Sequence, residues 1–405
     1  MFFFNPRTLD RVEAKHGWTI RDGVDRNENN NKVVFNASQF DELGCLKHEL
    51  IFVNATDVMN QSLVELELKM GEGCGPLRRE WRINPPLSQL AKSIRDTQSN
   101  CSLPIVAWPM YSHYGIGSHI FQWSEAMCVA LENGHRLRTE HVGKWIWNDQ
   151  TYCNMTDVSL RSPWLCYFPK LEYLCEQVPT GYITVGRTAP RPCVSRHSKD
   201  PDFTKSFRSA SLEYMFGQVS PLVIREAQRQ VGIIFGPNGA PDDLITVHVR
   251  WGDKSDEMKL FDIQEYINAT SRMLVNELNR TYDSNANIYL ATEDPAAVKA
   301  FTNHAPTAWK IYHDLVIDEL DQFRPTKNGS IAKYNAASSV SINTLGRGGL
   351  LSMGSLLVSL EANYFVLTTG SGFSRILDFI RMGMIDPRCG NCTRMIDLNP
   401  PYIWR

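Results

Sequence analysis

The chain of 405 residues has no run of about eighteen apolar residues, so no segment of it reads as a membrane-spanning helix. Its opening stretch MFFFNPRTLD also lacks a hydrophobic signal core, and any targeting or anchoring segment is expected to lie outside this chain. An excess of charge of one sign is missing too. Lys and Arg number 42 against 44 Asp and Glu, for a net charge of −2 and a pI near 6.6. That balance excludes a broad electrostatic footprint for nucleic acid or an anionic membrane, so any bound polyanion is small and held locally. A zinc site needs a second ligand pair for CGNC at 389–392, and none stands nearby. The one D-x-D is DPD at 200–202, inside a basic, proline-broken stretch rather than after a strand. No G-x-G-x-x-G opens the first helix of the second half, which argues against a nicotinamide dehydrogenase.

What is present points to an oxidising, glycosylating compartment. Ten cysteines occur, eight of them before residue 194. Asparagines at 36, 54, 60, 100, 154, 268, 279, 328 and 391 each stand in N-x-S/T. A lumenal protein of the secretory pathway, in the Golgi or endoplasmic reticulum, is expected. The length and the 43% hydrophobic content allow two packed cores. Residues 1–45 read as an arm and 46–103 as an accessory helical region. Residues 104–239 read as an N-terminal lobe and 240–405 as a C-terminal lobe.

In the first lobe, residues 103–137 show a short apolar strand, a glycine turn at Gly115 and Gly117, and a long apolar-periodic helix ending near Asn133 and Gly134. Residues 187–209 are polar, basic and rich in proline, and are expected to form an exposed loop. From about 240 strands and helices alternate. Strands are expected at 244–250, 286–292, 309–313 and 364–369, and helices at 262–280, 294–304, 349–361 and 372–382. That alternation predicts an α/β fold with parallel, doubly wound sheets.

The first of these strands, ITVHVRWGDK at 245–254, puts Ile245, Val247 and Val249 on one face and Thr246, His248 and Arg250 on the other. Ligands of open parallel sheets bind beyond the carboxyl ends of the strands. Arg250, Asp253 and Lys254 fall at one such end, Glu293 and Asp294 at a second, and Gly370, Ser371 and Gly372 at a third. A helix starting near Gly372 would offer N–H groups and its dipole to a phosphate, and Arg250 a permanent, planar cation. Each residue also has a plainer role open to it. Arg250 can be half of a structural ion pair, Ser371 a simple helix cap, and His248 a satisfied core histidine. Asp256 and Glu257 are either a carboxylate base for an acceptor hydroxyl or a solvated loop. Arg347, in LGRGG, either approaches a diphosphate or decorates a glycine loop.

HVRWGDK resembles the H-x-R-R-x-D signature of the fucosyltransferases that include the α1,6 enzymes and the protein O-fucosyltransferases. GIGSHIFQWSEAMCVALENGHRL is similar to that group's glycine turn and helix, IYLATEDPAAVKAF to its second motif, and SMGSLLVSLEANYFVLTTGSGFSRILDFIRM to its third; together they cover about residues 103–385. The resemblance implies a GT-B-like pair of Rossmann-type lobes around a cleft, GDP-fucose as donor, a glycan or glycoprotein acceptor, inversion at the sugar carbon, and no metal or other cofactor. It places Arg250 on the donor diphosphate, His248 near guanine, Gly115 and Gly117 facing the phosphates, and Ser371 on the phosphate side. Asp294 lies in the second motif on the donor side, and Asp253 and Lys254 follow the signature. Two positions depart from the group. Trp251 replaces the second arginine, and Ser355 stands where the group reads guanine with aspartate. A secreted glycan-binding protein of the same fold that has lost catalysis is the alternative these departures suggest.

Overall fold

The structure is a computed structural model that describes residues 74–81, 86–110, 115–141, 145–153, 162–172, 175, 182–184, 201–251, 259–320, 326–327, 330–331 and 341–399. Two parallel sheets organise them. The first has three strands in the order β2-β1-β3, with β1 at Ile105–Met110, β2 at Arg136–His141 and β3 at Tyr182–Thr184. Before it lies helix α1, Gln89–Ser99, capped by Ser88, whose hydroxyl accepts from the Ala91 N–H. Helix α2, Ile116–Glu132, joins β1 to β2 and ends where Gly134 adopts φ 66°, a conformation that glycine takes without strain. The strand and helix expected from the sequence are both here; of the expected turn glycines, Gly115 is the N-cap of α2 and Gly117 lies in its first turn.

Helices α3, Pro201–Phe216, and α4, Pro221–Phe235, lead to the second sheet. Helix α3 corrects the expectation of a loop through 209. Pro201 occupies a first-turn position where its missing N–H costs nothing, and Phe207, Ala210 and Tyr214 recur at helical spacing as buried residues.

The second sheet has five parallel strands in the order β10-β9-β4-β5-β6. These are β4 (Leu244–His248), β5 (Ala286–Ala291), β6 (Trp309–His313), β9 (Tyr364–Leu367) and β10 (Arg394–Asp397). The connecting helices are α5 (Ile263–Leu278), α6 (Pro295–His304), α7 (Leu315–Leu320), α8 (Arg347–Ser359), α9 (Gly372–Ile380) and α10 (Asp386–Cys389). A short hairpin pairs β7, Thr326–Lys327, with β8, Ser330–Ile331. The alternation predicted from residue 240 onward is therefore realised as an α/β, doubly wound sheet, with β10 as an additional edge strand.

Both faces of that sheet are covered, as helical crossovers require. Ile245, Val247 and Val249 pack with α5 and α6, while Leu244, Phe365 and Leu367 join a cluster that continues through α8, α9, α3 and α4 into the first sheet. The polar side of β4 is thus buried rather than solvated. Thr246 meets this by donating its hydroxyl to the Ser359 carbonyl at 2.8 Å.

Disulfides join Cys101 to Cys175, Cys153 to Cys166 and Cys389 to Cys392, and Cys74 and Cys128 are disulfide-bonded as well. The four sequon asparagines among the described residues, Asn100, Asn268, Asn279 and Asn391, are all exposed. No described helix is long and apolar enough to cross a membrane.

Candidate functional site

Strand order locates the crevice. From β4 the chain winds outward through β5 and β6, then crosses back to β9 on the other side of β4. The switch point lies between the carboxyl ends of β4 and β9, where open α/β sheets bind ligands. The first sheet repeats this logic, since β2 and β3 flank β1 and the switch falls on the turn from β1 into α2. The two switch points meet. A Cβ added to Gly117 would lie 3.4 Å from Ile376 Cδ1, 3.6 Å from the Gly372 carbonyl carbon and 3.8 Å from the Phe373 nitrogen. The first turns of α2 and α9 therefore lie side by side, at a distance where an added Cβ would make ordinary van der Waals contact.

Those two helix starts, like those of α8 at Gly346 and α10 at Ile385, carry no side-chain cap. Ser88, Ser220, Asp262 and Asp294 cap α1, α4, α5 and α6 with side-chain acceptors. Gly115 and Ser371, the N-cap residues of α2 and α9, make no side-chain capping bond. The first-turn N–H groups there have no cap side chain to accept from them, and two positive dipole ends converge on one place. Ser371 does not serve as an ordinary cap, and Asp294 does, its carboxylate accepting from the Ala296 N–H at 2.8 Å.

Register places the cation. His248 pairs with Ala291, so two residues further along Arg250 stands opposite Glu293, and the two form an ion pair. The Arg250 side chain is 12% exposed and Glu293 48% exposed, so a partly buried guanidinium is paired with a carboxylate that water reaches. The structural ion pair thus exists, with Glu293 as its partner. Asp253, Lys254, Asp256 and Glu257 lie outside the described residues. Trp251, which precedes them in sequence, donates its indole N–H to the Phe261 carbonyl at 2.9 Å. That bond and its packing against the α5 cluster give Trp251 a structural task that the sequence reading missed.

His248 is buried beside α9. Its Nδ1 lies 2.7 Å from Ser374 Oγ, and its ring centroid 4.9 Å from that of Phe373. Burial, with the Arg250 charge adding to it, pushes the imidazole pKa down to about 3, so it is neutral at ordinary pH.

Ser355 sits mid-helix in α8, buried, and donates its hydroxyl to Asp314 while lying 3.4 Å from the Tyr289 hydroxyl. Asp314 follows directly on β6 at the carboxyl end of the sheet. Burial pushes its carboxyl up to about 6, against the Ser355 hydroxyl and Val316 N–H that favour the charged form, with Glu293 adding to the rise. Sequence reading passed over Asp314, whose only signal was its place after a strand.

Arg347 faces other partners: Glu226 at 3.4 Å, Glu319 at 3.6 Å and Asp149 at 3.9 Å. Among the described residues one group has metal-ligand proximity, Asp386 with Cys389 and Cys392, and its two sulfurs are joined in a disulfide.

No family model matches the chain, and no curated protein matches it in sequence. Among solved structures it is similar to a mutant of Arabidopsis thaliana FUT1 in complex with GDP, at a TM-score of 0.37 and 9% identity. That likeness covers 78% of this chain and 76% of the other.

Proposed function

We propose that this chain is a metal-independent, inverting glycosyltransferase that moves fucose from GDP-fucose to a glycan or glycoprotein hydroxyl. The observation that carries the reading is the meeting of two topological switch points at Gly117 and Gly372, with two uncapped helix starts beside them. Arg250 stands at the tip of the adjoining central strand. The four motifs of the sequence supply the donor and sugar.

In this reading the bond from the sugar C1 to the β-phosphate oxygen breaks and its electron pair stays on GDP. Arg250 and the N–H groups at the starts of α2 and α9 stabilise that growing charge from fixed positions. The acceptor oxygen bonds C1 from the opposite face, and its proton passes to a carboxylate for which Asp256 and Glu257 are the candidates. Asp253 and Lys254 would share that loop, while His248, Ser371, Gly115 and Gly117 would line the donor side. Asp294 and Ser355, a cap and a buried helix residue here, would support that wall from behind. Nine sequons, four of them exposed where described, fit a lumenal enzyme.

Thermal-shift titrations with GDP-, UDP- and ADP-sugars in EDTA test this directly. GDP-fucose is expected to raise the melting temperature and to be hydrolysed or transferred, with both effects abolished in Arg250→Ala. A folded, glycosylated preparation blind to every GDP-sugar would refute the assignment. Glycan binding that survives Arg250→Ala without any nucleotide response would point instead to a binding protein that has lost catalysis.

A further inference from the structure

The hydroxyl of Ser374 touches two groups. It accepts from the Thr368 N–H at 3.1 Å and lies 2.7 Å from His248 Nδ1. Ser374 is fully buried, so its own hydrogen also needs an acceptor. Helix serines commonly give that hydrogen to the carbonyl four residues back, as Ser211, Ser352 and Ser359 do here. Ser374 makes no such bond, and His248 Nδ1 is the acceptor within its reach. If Nδ1 carried the proton instead, the Ser374 hydroxyl would be buried with nothing to donate to.

We infer that Ser374 is a positioning residue that fixes His248 as the Nε2–H tautomer, so that the imidazole meets the bound nucleotide as a hydrogen-bond donor. Nε2 has no hydrogen-bond partner among the described residues, and it is not among the side-chain atoms sealed from solvent without one. The ligand atom it meets is therefore an acceptor, a keto or phosphate oxygen or an unprotonated ring nitrogen, and an amino group there is rejected. Burial keeps the ring neutral, which leaves the choice of tautomer to Ser374. The second half of this inference rests on the nucleotide site proposed above, whereas the tautomer itself does not.

Long-range proton–nitrogen correlation spectra of histidine-labelled protein test both halves, with His248→Asn identifying the resonances. Without nucleotide, the His248 Nδ1 is expected at a pyridine-like shift and Nε2 at a pyrrole-like one. Ser374→Ala should move this toward a mixture of tautomers and weaken GDP binding about tenfold, and Ser374→Thr should restore both. A protonated Nδ1 in the wild-type protein, or a tautomer unmoved in Ser374→Ala, overturns the role of Ser374. GDP that leaves the wild-type His248 resonances unchanged overturns the nucleotide contact and the proposed donor site with it.

Discussion

A guanidinium at a strand tip needs a counter-charge while no anion is bound, and Glu293 supplies it to Arg250. Glu293 is half exposed, so its hold is screened by water and can be exchanged for a diphosphate at little cost. What lysine cannot reproduce is the planar fork that grips two oxygens at once. Arg250→Lys is therefore expected to keep the fold and lose about tenfold or more in GDP affinity, read by calorimetric titration. Unchanged affinity would mean that Arg250 is structural and does not grip the nucleotide. Residues differ in how much of this was legible. Arg250 and His248 announce themselves by standing at the polar end of an alternating apolar strand. Ser374 and Asp314 do not, because a serine inside a helix and an aspartate after a strand are ordinary in sequence, and only the return of α9 and α8 over the sheet gives them partners. The structural task of Trp251 was hidden as well, because the carbonyl it binds, that of Phe261, lies ten residues away in sequence.

At the scale of elements, the cap of α5 and the uncapped start of α9 give a direct comparison. Asp262 accepts from the Gln264 N–H, and Glu265 closes a capping box on the Asp262 N–H. Losing such a cap costs about 1 kcal/mol, so Asp262→Ala should lower the urea midpoint of unfolding. Ser371→Ala removes no cap and should leave the unfolding free energy within about 0.5 kcal/mol of the wild type while weakening GDP binding. Equal losses of stability in the two variants would show Ser371 to be structural. Element positions were legible because the apolar period switches between two and 3.6 so cleanly after residue 240. The start of α3 was not, because charge and proline before residue 201 mask the spacing of Phe203, Phe207 and Ala210.

Glycines carry the other element-scale feature. A Cβ on Gly349 would stand 1.9 Å from the Trp147 carbonyl oxygen, and one on Gly346, at φ 85°, 1.9 Å from that of Asn148. The start of α8 is stitched to this segment by the Gln150 N–H on the Leu345 carbonyl at 2.9 Å. Gly349→Ala must push backbone apart, and overpacking of that kind costs about 1–3 kcal/mol or more. A clear fall in melting temperature is expected, and a variant as stable as the wild type would show that the approach is not tight. The glycines of LGRGG thus serve close packing, and Arg347 between them serves the ion pairs with Glu226, Glu319 and Asp149.

Taken whole, the molecule holds its candidate site at one end of the second sheet and a titrating clamp at the other. The segment at 78–79 grips the amino ends of β4 and β9. The Arg78 guanidinium donates to the Ala240 and Pro241 carbonyls at 3.0 and 2.8 Å, and the Arg79 guanidinium to Ala362 O and Asn363 Oδ1 at 2.8 and 2.7 Å. Between them the Arg78 backbone N–H donates to Glu361, whose other carboxylate oxygen is buried without a partner. Burial pushes this carboxyl from its ordinary 4.5 up to about 7, against the pull of both arginines. The folded protein therefore keeps a proton on Glu361 that the unfolded chain gives up near pH 4.5. Between those two values the folded state binds more protons, so stability falls as pH rises, and the full penalty applies above about pH 7. Glu361→Gln keeps the acceptor for Arg78 without the charge. It should be more stable than the wild type at pH 8 by up to the order of 3 kcal/mol. The advantage should shrink as pH drops and vanish below about 4.5, with GDP affinity unchanged because the clamp is remote from the β4 and β9 carboxyl ends. Urea unfolding at pH 4, 6 and 8 reads the difference. An advantage that grew on acidification would reverse the sign and show that Glu361 is held as a carboxylate by the two arginines.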